Sequence, residues 1–252
     1  MNSVGNAKIA GMDVDLKLDS NRYSIVLVVF FIGYVVFEVP SNMVLTWMGR
    51  PSIYLPGIMA LWGAVTVGMA FVPTYEALIG FRVVMGSLES GFAPGVLLLL
   101  SSWYKKKEQS KRFAVYISAA ILSGAFGGLL AGSITGGLDG VHGIAGWRWL
   151  FVVEGAATMG WSTIAFFILP DFPTSSKGKF TERERELAIL RLQADAQQLR
   201  SEGEAELSHW EALKISMKNW RTWLFVVGYM VRTTISFSIS PSSEEICILT
   251  MT

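Results

Sequence analysis

Ionisable side chains fall inside long apolar runs, among them Glu38, Arg82, Glu89 and Glu154. A charge at mid-bilayer costs about 2.5–3.5 kcal/mol on insertion scales, so such a group faces a water-filled cavity, a partner or a permeating species. Arg82 and Glu89 are seven residues apart. On a helix that spacing puts them on one face, about 10 Å apart along the axis. Gly86 lies between them on the same face and leaves room for a neighbouring helix or a substrate. Two readings fit this pair: a substrate or proton pathway, or an interhelical ion pair that only holds the fold. Glu38 has Tyr34 one turn before it and Pro40 just after it. A proline leaves the carbonyl one turn upstream without its helical donor. A protonatable gate and simple interfacial packing both suit Glu38. Glu154 lies about two turns inside its run, below Trp147-Arg148-Trp149, where a structural pair competes with a pathway role.

Other chemistry is excluded. The sequence contains no GxSxG, HExxH or GxxxxGK pattern, so it offers no hydrolase, zinc-protease or phosphate-loop site. One cysteine, Cys247, and two histidines, His142 and His209, cannot supply a zinc site or an intrachain disulfide. No cofactor is implied. The formal net charge of +1 gives no basic field for nucleic acid. No residue pattern sets an oligomeric state.

The elements that hold these charges are long apolar helices. Charged residues make up 16% of the chain, where about a quarter is usual for globular proteins. A membrane span needs about 20 mostly apolar residues. Six runs qualify, at 23–47, 53–72, 75–103, 113–134, 147–169 and 220–240, the last weakened by Arg221 and Arg232. They are too long and too uniformly apolar for barrel strands, so the fold class is all-α and polytopic. In the fourth run Gly124, Gly128 and Gly132 recur every fourth residue, the spacing that lets helix backbones approach or provides a hinge.

Lysine and arginine cluster on one side of the alternating spans. Lys105, Lys106, Lys107, Lys111 and Arg112 follow the third run, Arg50 follows the first, and Lys177, Arg183, Arg185 and Arg191 follow the fifth. That side is predicted to be cytoplasmic. Residues 1–22 then fall on the extracellular side, which is odd for a start without a signal peptide: either the topology is strained or a preceding helix is missing. Residues 170–219 form a charged cytoplasmic loop. Thr181 and Glu184 there have capping-box spacing, and Leu187, Leu190 and Leu199 suit one amphipathic stripe. Residues 241–252 read as an aberrant tail.

Four stretches carry a family resemblance: GNAKIAGM at 5–12, FFIGYVVFEVPSN at 30–42, FRVVMGSLESGFAPG at 81–95 and GWRWLFVVEG at 146–155. In order and spacing they resemble the major facilitator superfamily, and within it the fungal anion:cation symporter group of allantoate, nicotinate and pantothenate permeases. Arg82 and Gly86 match that superfamily's RxxxG pattern, which implies an arginine facing the central cavity. Of its loop pattern GxxxDRxGRR, Gly49 and Arg50 match; Asn42, Thr46, Trp47 and Pro51 depart from it, which puts the loop's charge relay in doubt. Phe126 and Gly127 stand where drug antiporters carry Gly-Pro. The resemblance implies a twelve-helix carrier of two six-helix halves with a midplane site. The spans here would be helices 2 to 7, a partial fold with its first helix missing, and 170–219 would be the loop between halves. It further implies a small organic anion and a proton as partners, a lipid bilayer around the chain, and the plasma membrane as location. The alternative is a truncated, non-transporting membrane fragment of such a carrier.

Overall fold

The computed structural model describes residues 2–176, 180–201, 214–215, 217–228 and 230–231. Among them every regular element is helical. A short segment comes first, built of α1 (Asn2–Ala7), a π turn at Lys8–Met12 and α2 (Asp13–Asp15). It is followed by α3 (Ser20–Met48), α4 (Pro51–Met69), α5 (Tyr75–Glu89), α6 (Phe92–Trp103), α7 (Lys106–Gly137), α8 (Gly146–Ile168) and α9 (Glu182–Ser201). Five stretches are long and apolar enough to cross a bilayer: α3, α4, Tyr75–Trp103 (α5 and α6 together), Glu108–Gly137 of α7, and α8. Their outer surfaces are apolar, with Trp161 64%, Phe167 71% and Leu129 71% exposed. A soluble protein rarely shows so much apolar surface; hydrocarbon accepts it.

Local sequence sets the helix ends. Asp19 caps α3 by accepting from the Arg22 amide at 2.7 Å. Gly49 stops it in the left-handed conformation, φ 65°, with its N–H on the Leu45 carbonyl at 3.0 Å. Pro51 opens α4 at a position whose amide would have no helical partner. α7 begins at Lys106, earlier than the apolar run, because the polar residues Lys106–Arg112 are themselves good helix formers. The run 75–103 breaks at Ser90–Gly91 into α5 and α6.

Two helix pairs dominate the packing, α4 on α8 and α3 on α5. Both meet at glycines. A Cβ on Gly63 would stand 2.9 Å from the Gly155 carbonyl, and one on Gly155 would stand 2.7 Å from that of Gly63. Gly33 and Gly86 do the same for α3 and α5, against the Val83 and Phe30 carbonyls. The glycines singled out in the fourth run behave otherwise. Gly128 and Gly132 lie on an exposed face of α7, and a Cβ there would meet nothing within 4 Å among the described residues. Gly124 is half-buried on the same helix.

The N-terminal segment packs against the helices. Val4, Ala7 and Met12 are buried with Trp147, Leu150 and Phe151 of α8. The Trp147 indole donates to the Asp15 carboxylate at 2.8 Å. Arg148 donates to the Ala70 carbonyl at 2.9 Å and so satisfies the end of α4.

The first compact unit is Met1–Ala196 and the second Gln197–Thr252. In the second, 220–228 and 230–231 are helical, and the Trp223 indole donates to the Met217 carbonyl at 2.8 Å. The rest of the sixth run, with Arg232, and the tail at 241–252 lie outside the described residues.

The capping box of α9 is formed. The Thr181 amide and hydroxyl both donate to Glu184 Oε2 at 2.9 Å, and the Glu184 amide returns a bond to the Thr181 hydroxyl at 3.4 Å. Leu187 and Leu190 are exposed on this helix. The hydrogen bond from the Thr181 backbone, then that from its hydroxyl, holds the Glu184 carboxyl below its ordinary pKa. A lowered carboxyl pKa stabilises above the unfolded value and ceases to do so as pH falls through the folded one. A peptide of residues 180–201 is therefore expected to lose helicity by circular dichroism as pH drops through that lowered value. The Glu184→Gln peptide should lack this step, and identical titrations would refute the assignment.

Candidate functional site

The site grows from the contact of α3 with α5. Phe30, Gly33 and Tyr34 stand one helical turn apart on α3; Arg82, Gly86 and Glu89 do so on α5. Gly86 makes the approach possible, since any side chain there would strike the Phe30 carbonyl and come within 3.1 Å of the Tyr34 amide. That closeness presses the Arg82 side chain against the ring of Phe30.

Arg82 is 1% exposed. Its guanidinium carbon lies 5.0 Å from the Phe30 ring centroid, a cation–π distance. Nη1 reaches the Met85 sulfur at 3.6 Å, and sulfur is a weak acceptor. Nε and Nη2 are buried with no hydrogen-bond partner among the described residues. Glu89 Oε2 is likewise buried without one. Arg82 and Glu89 share a face but form no ion pair; Arg191 with Glu108, at 3.1 Å, is the pair seen between described side chains, and it joins α9 to α7. No described acidic side chain pairs with Arg82. A buried guanidinium with unused donors is costly unless something else takes them. Its fork fits a carboxylate in bidentate fashion.

Two predicted residues thus meet through Phe30, Arg82 and Tyr34, whose ring is 6.1 Å from that of Phe30, while Glu89 lies two turns along the face of Arg82. Glu38 is half-buried one turn beyond Tyr34, and its carbonyl accepts from the Asn42 amide group at 2.8 Å. Glu154 stands apart on α8, next to the Gly155 that packs on α4. Gly49 and exposed Arg50 form the turn from α3 to α4, and no acid of that turn faces Arg50. The sequence alone does not single out Phe30 and Met85, whose apolar types resemble those of any core residue.

Apolar-surfaced helices of this length, packed through glycines, define an integral, multi-pass helical membrane protein. Residues 2–245 match the model of the Major Facilitator Superfamily. The chain belongs to that superfamily. It is 36% identical over 244 residues to the MFS transporter prlL of a fungal species, a match that covers 94% of this chain and 48% of the relative. The pantothenate transporter FEN2 of Saccharomyces cerevisiae is 32% identical over 228 residues, covering 90% of this chain and 44% of the relative. A putative tartrate transporter of Agrobacterium vitis is 34% identical over 184 residues, covering 73% and 40%. The chain spans about half the length of the curated relatives it matches. Among solved structures, a bacterial homologue of the human lysosomal transporter Spinster superposes with TM-score 0.61 at 18% identity, over 68% of this chain and 41% of the other. That likeness places the fold as a partial major facilitator fold. The family and these relatives are transporters, not enzymes.

Proposed function

We propose that these residues form the anion-binding wall of a proton-coupled carrier for a small organic anion. The observation that carries this reading is Arg82, buried with two nitrogens unpartnered, on the same face of α5 as Glu89, whose Oε2 is also buried without a partner among the described residues. The relatives named for pantothenate and tartrate point to carboxylates, the group a guanidinium fork holds best. In this reading Arg82 binds the carboxylate, Glu89 or Glu38 takes up the coupled proton, and Tyr34 and Gly86 shape the approach. The spans correspond to helices 2 to 7, and the host membrane is the plasma membrane.

A second reading is favoured by coverage. These residues span about half of each relative, so expressed alone they supply one wall of a two-walled cavity. Alone they would be a non-transporting fragment. The test is radiolabelled pantothenate and tartrate uptake into proteoliposomes under an inward proton gradient. A full-length relative should accumulate one of them and lose accumulation when the gradient is collapsed, whereas this chain alone should not. Uptake by the relative that ignores the proton gradient would overturn the coupling; uptake of neither acid would overturn the carboxylate assignment.

A further inference from the structure

The turn between α3 and α4, Gly49-Arg50-Pro51-Ser52, has no acid of its own, and the N-cap residue Arg50 makes no side-chain cap. The missing cap comes from far along the chain. Asp171, just after α8, accepts from the Ser52 amide through its carboxylate at 3.1 Å. A carboxylate at a helix N-terminus satisfies an orphan amide and meets the positive end of the helix dipole. The same residue accepts on its main-chain carbonyl from the Trp103 indole at the end of α6, at 3.0 Å. Four residues on, the Ser175 hydroxyl donates to the Gly49 carbonyl at 2.6 Å. Residues 171–176 therefore hold the ends of three helices that are distant in sequence.

The segment is itself fixed. The amides of Ser175 and Ser176 both donate to the Phe172 carbonyl, at 2.9 and 2.8 Å, which folds it into a tight turn. Arg185 of α9 closes it from the far side, with Nε on the Pro173 carbonyl at 3.0 Å and Nη2 on that of Thr174 at 3.2 Å. The ring of Phe180 packs on that of Trp103, tilted by 43° with 4.7 Å between centroids. None of these contacts involves Arg82, and none is implied by hydropathy.

We infer that residues 171–176 are a brace across the cytoplasmic ends of α3, α4 and α6, and that Asp171 is the positioning residue that supplies the acid the α3–α4 turn lacks. The brace makes the turn and the end of α6 move as one piece. A carrier that alternates between two openings by rocking its halves needs such stiffness at the membrane surface. The geometry stands independently of which substrate is carried.

Hydrogen exchange read by mass spectrometry on the purified 252-residue chain in nanodiscs tests this without any transport assay. Asp171→Ala should raise exchange in the peptide covering 49–54 roughly tenfold, the factor set by losing a charge-assisted hydrogen bond. It should also raise exchange around 100–108, because Trp103 loses its anchor when the turn shifts. Asp171→Asn keeps an acceptor oxygen and should restore most of the protection. Peptides around Arg82 should not change. Unaltered exchange at 49–54 in Asp171→Ala would overturn the inference, and so would equal rises over the whole chain in both variants. If Asp171→Ala alone fails to fold, Ser175→Ala decides: a rise confined to 49–54 and 171–176 supports the brace, and no rise there refutes it.

Discussion

Arg82→Met in a full-length relative is expected to cut carboxylate uptake by at least about 100-fold, worth about 2.7 kcal/mol in a rate-limiting step, while leaving the protein as stable as before or more so. The two halves of that expectation have one cause. Arg82 is buried, carries a charge and leaves Nε and Nη2 unpartnered. A buried ion without a partner costs several kcal/mol, and replacing it by an apolar side chain of similar length is commonly neutral or stabilising. Its contact with the Phe30 ring is worth about 0.5–2 kcal/mol and does not offset that cost. Methionine fills the same channel between α3 and α5 and keeps contact with Met85. Only function would be lost. Arg82→Lys should also transport poorly, because an ammonium cannot present a planar two-point fork. The checks are initial uptake rates and thermal melts of the purified carrier. Wild-type uptake by Arg82→Met would sink the anion-site reading. Lost uptake with a collapsed melting temperature would make Arg82 a structural residue instead.

Much of this site is legible in the residues themselves. A charge inside a span draws attention for the same reason that it matters, namely the cost of placing it there. The seven-residue spacing of Arg82 and Glu89 is enough to put both on one face of α5, with Gly86 between. What the spacing cannot say is whether two charges on one face touch. They do not, because the helix separates them by two turns and neither side chain bends toward the other enough to pair. Phe30 gives no comparable signal, because an aromatic ring in an apolar run looks the same whether it packs on leucine or on a guanidinium. Contacts between distant segments are hidden in another way. Asp171 to Ser52 and Asp15 to Trp147 each join residues more than a hundred positions apart, and neither has a local pattern. The lysine and arginine pattern assigns the N-terminal segment a side of the membrane but says nothing of its packing, in which Val4, Ala7 and Met12 fill the core.

The glycines separate even more sharply, and they carry the last prediction. Gly155→Val should prevent folding outright, as should Gly86→Val, whereas Gly128→Ala and Gly132→Ala should be harmless or stabilising. A Cβ at Gly155 would lie 2.7 Å from the Gly63 carbonyl and 2.6 Å from a Val67 methyl, so α4 and α8 would have to separate. At Gly86 the obstacle is the Phe30 carbonyl, which a rotamer change cannot move. Overpacking costs about 1–3 kcal/mol where side chains can adjust and more where backbone must shift. Since a domain's whole stability is about 5–15 kcal/mol, parting one of the two main helix pairs is enough to lose the fold. Gly128 and Gly132 have nothing within 4 Å of an added Cβ among the described residues, so alanine there gains the helix-propensity difference of about 1 kcal/mol each. Their periodic spacing resembles a packing motif because periodicity reports only that small residues share a face, not that another helix meets it. Fluorescence-detected size exclusion and detergent melts of the four variants would read the contrast. A monodisperse, wild-type-like Gly155→Val protein would refute the α4–α8 contact. Severe destabilisation by Gly128→Ala would show instead that its face of α7 is covered.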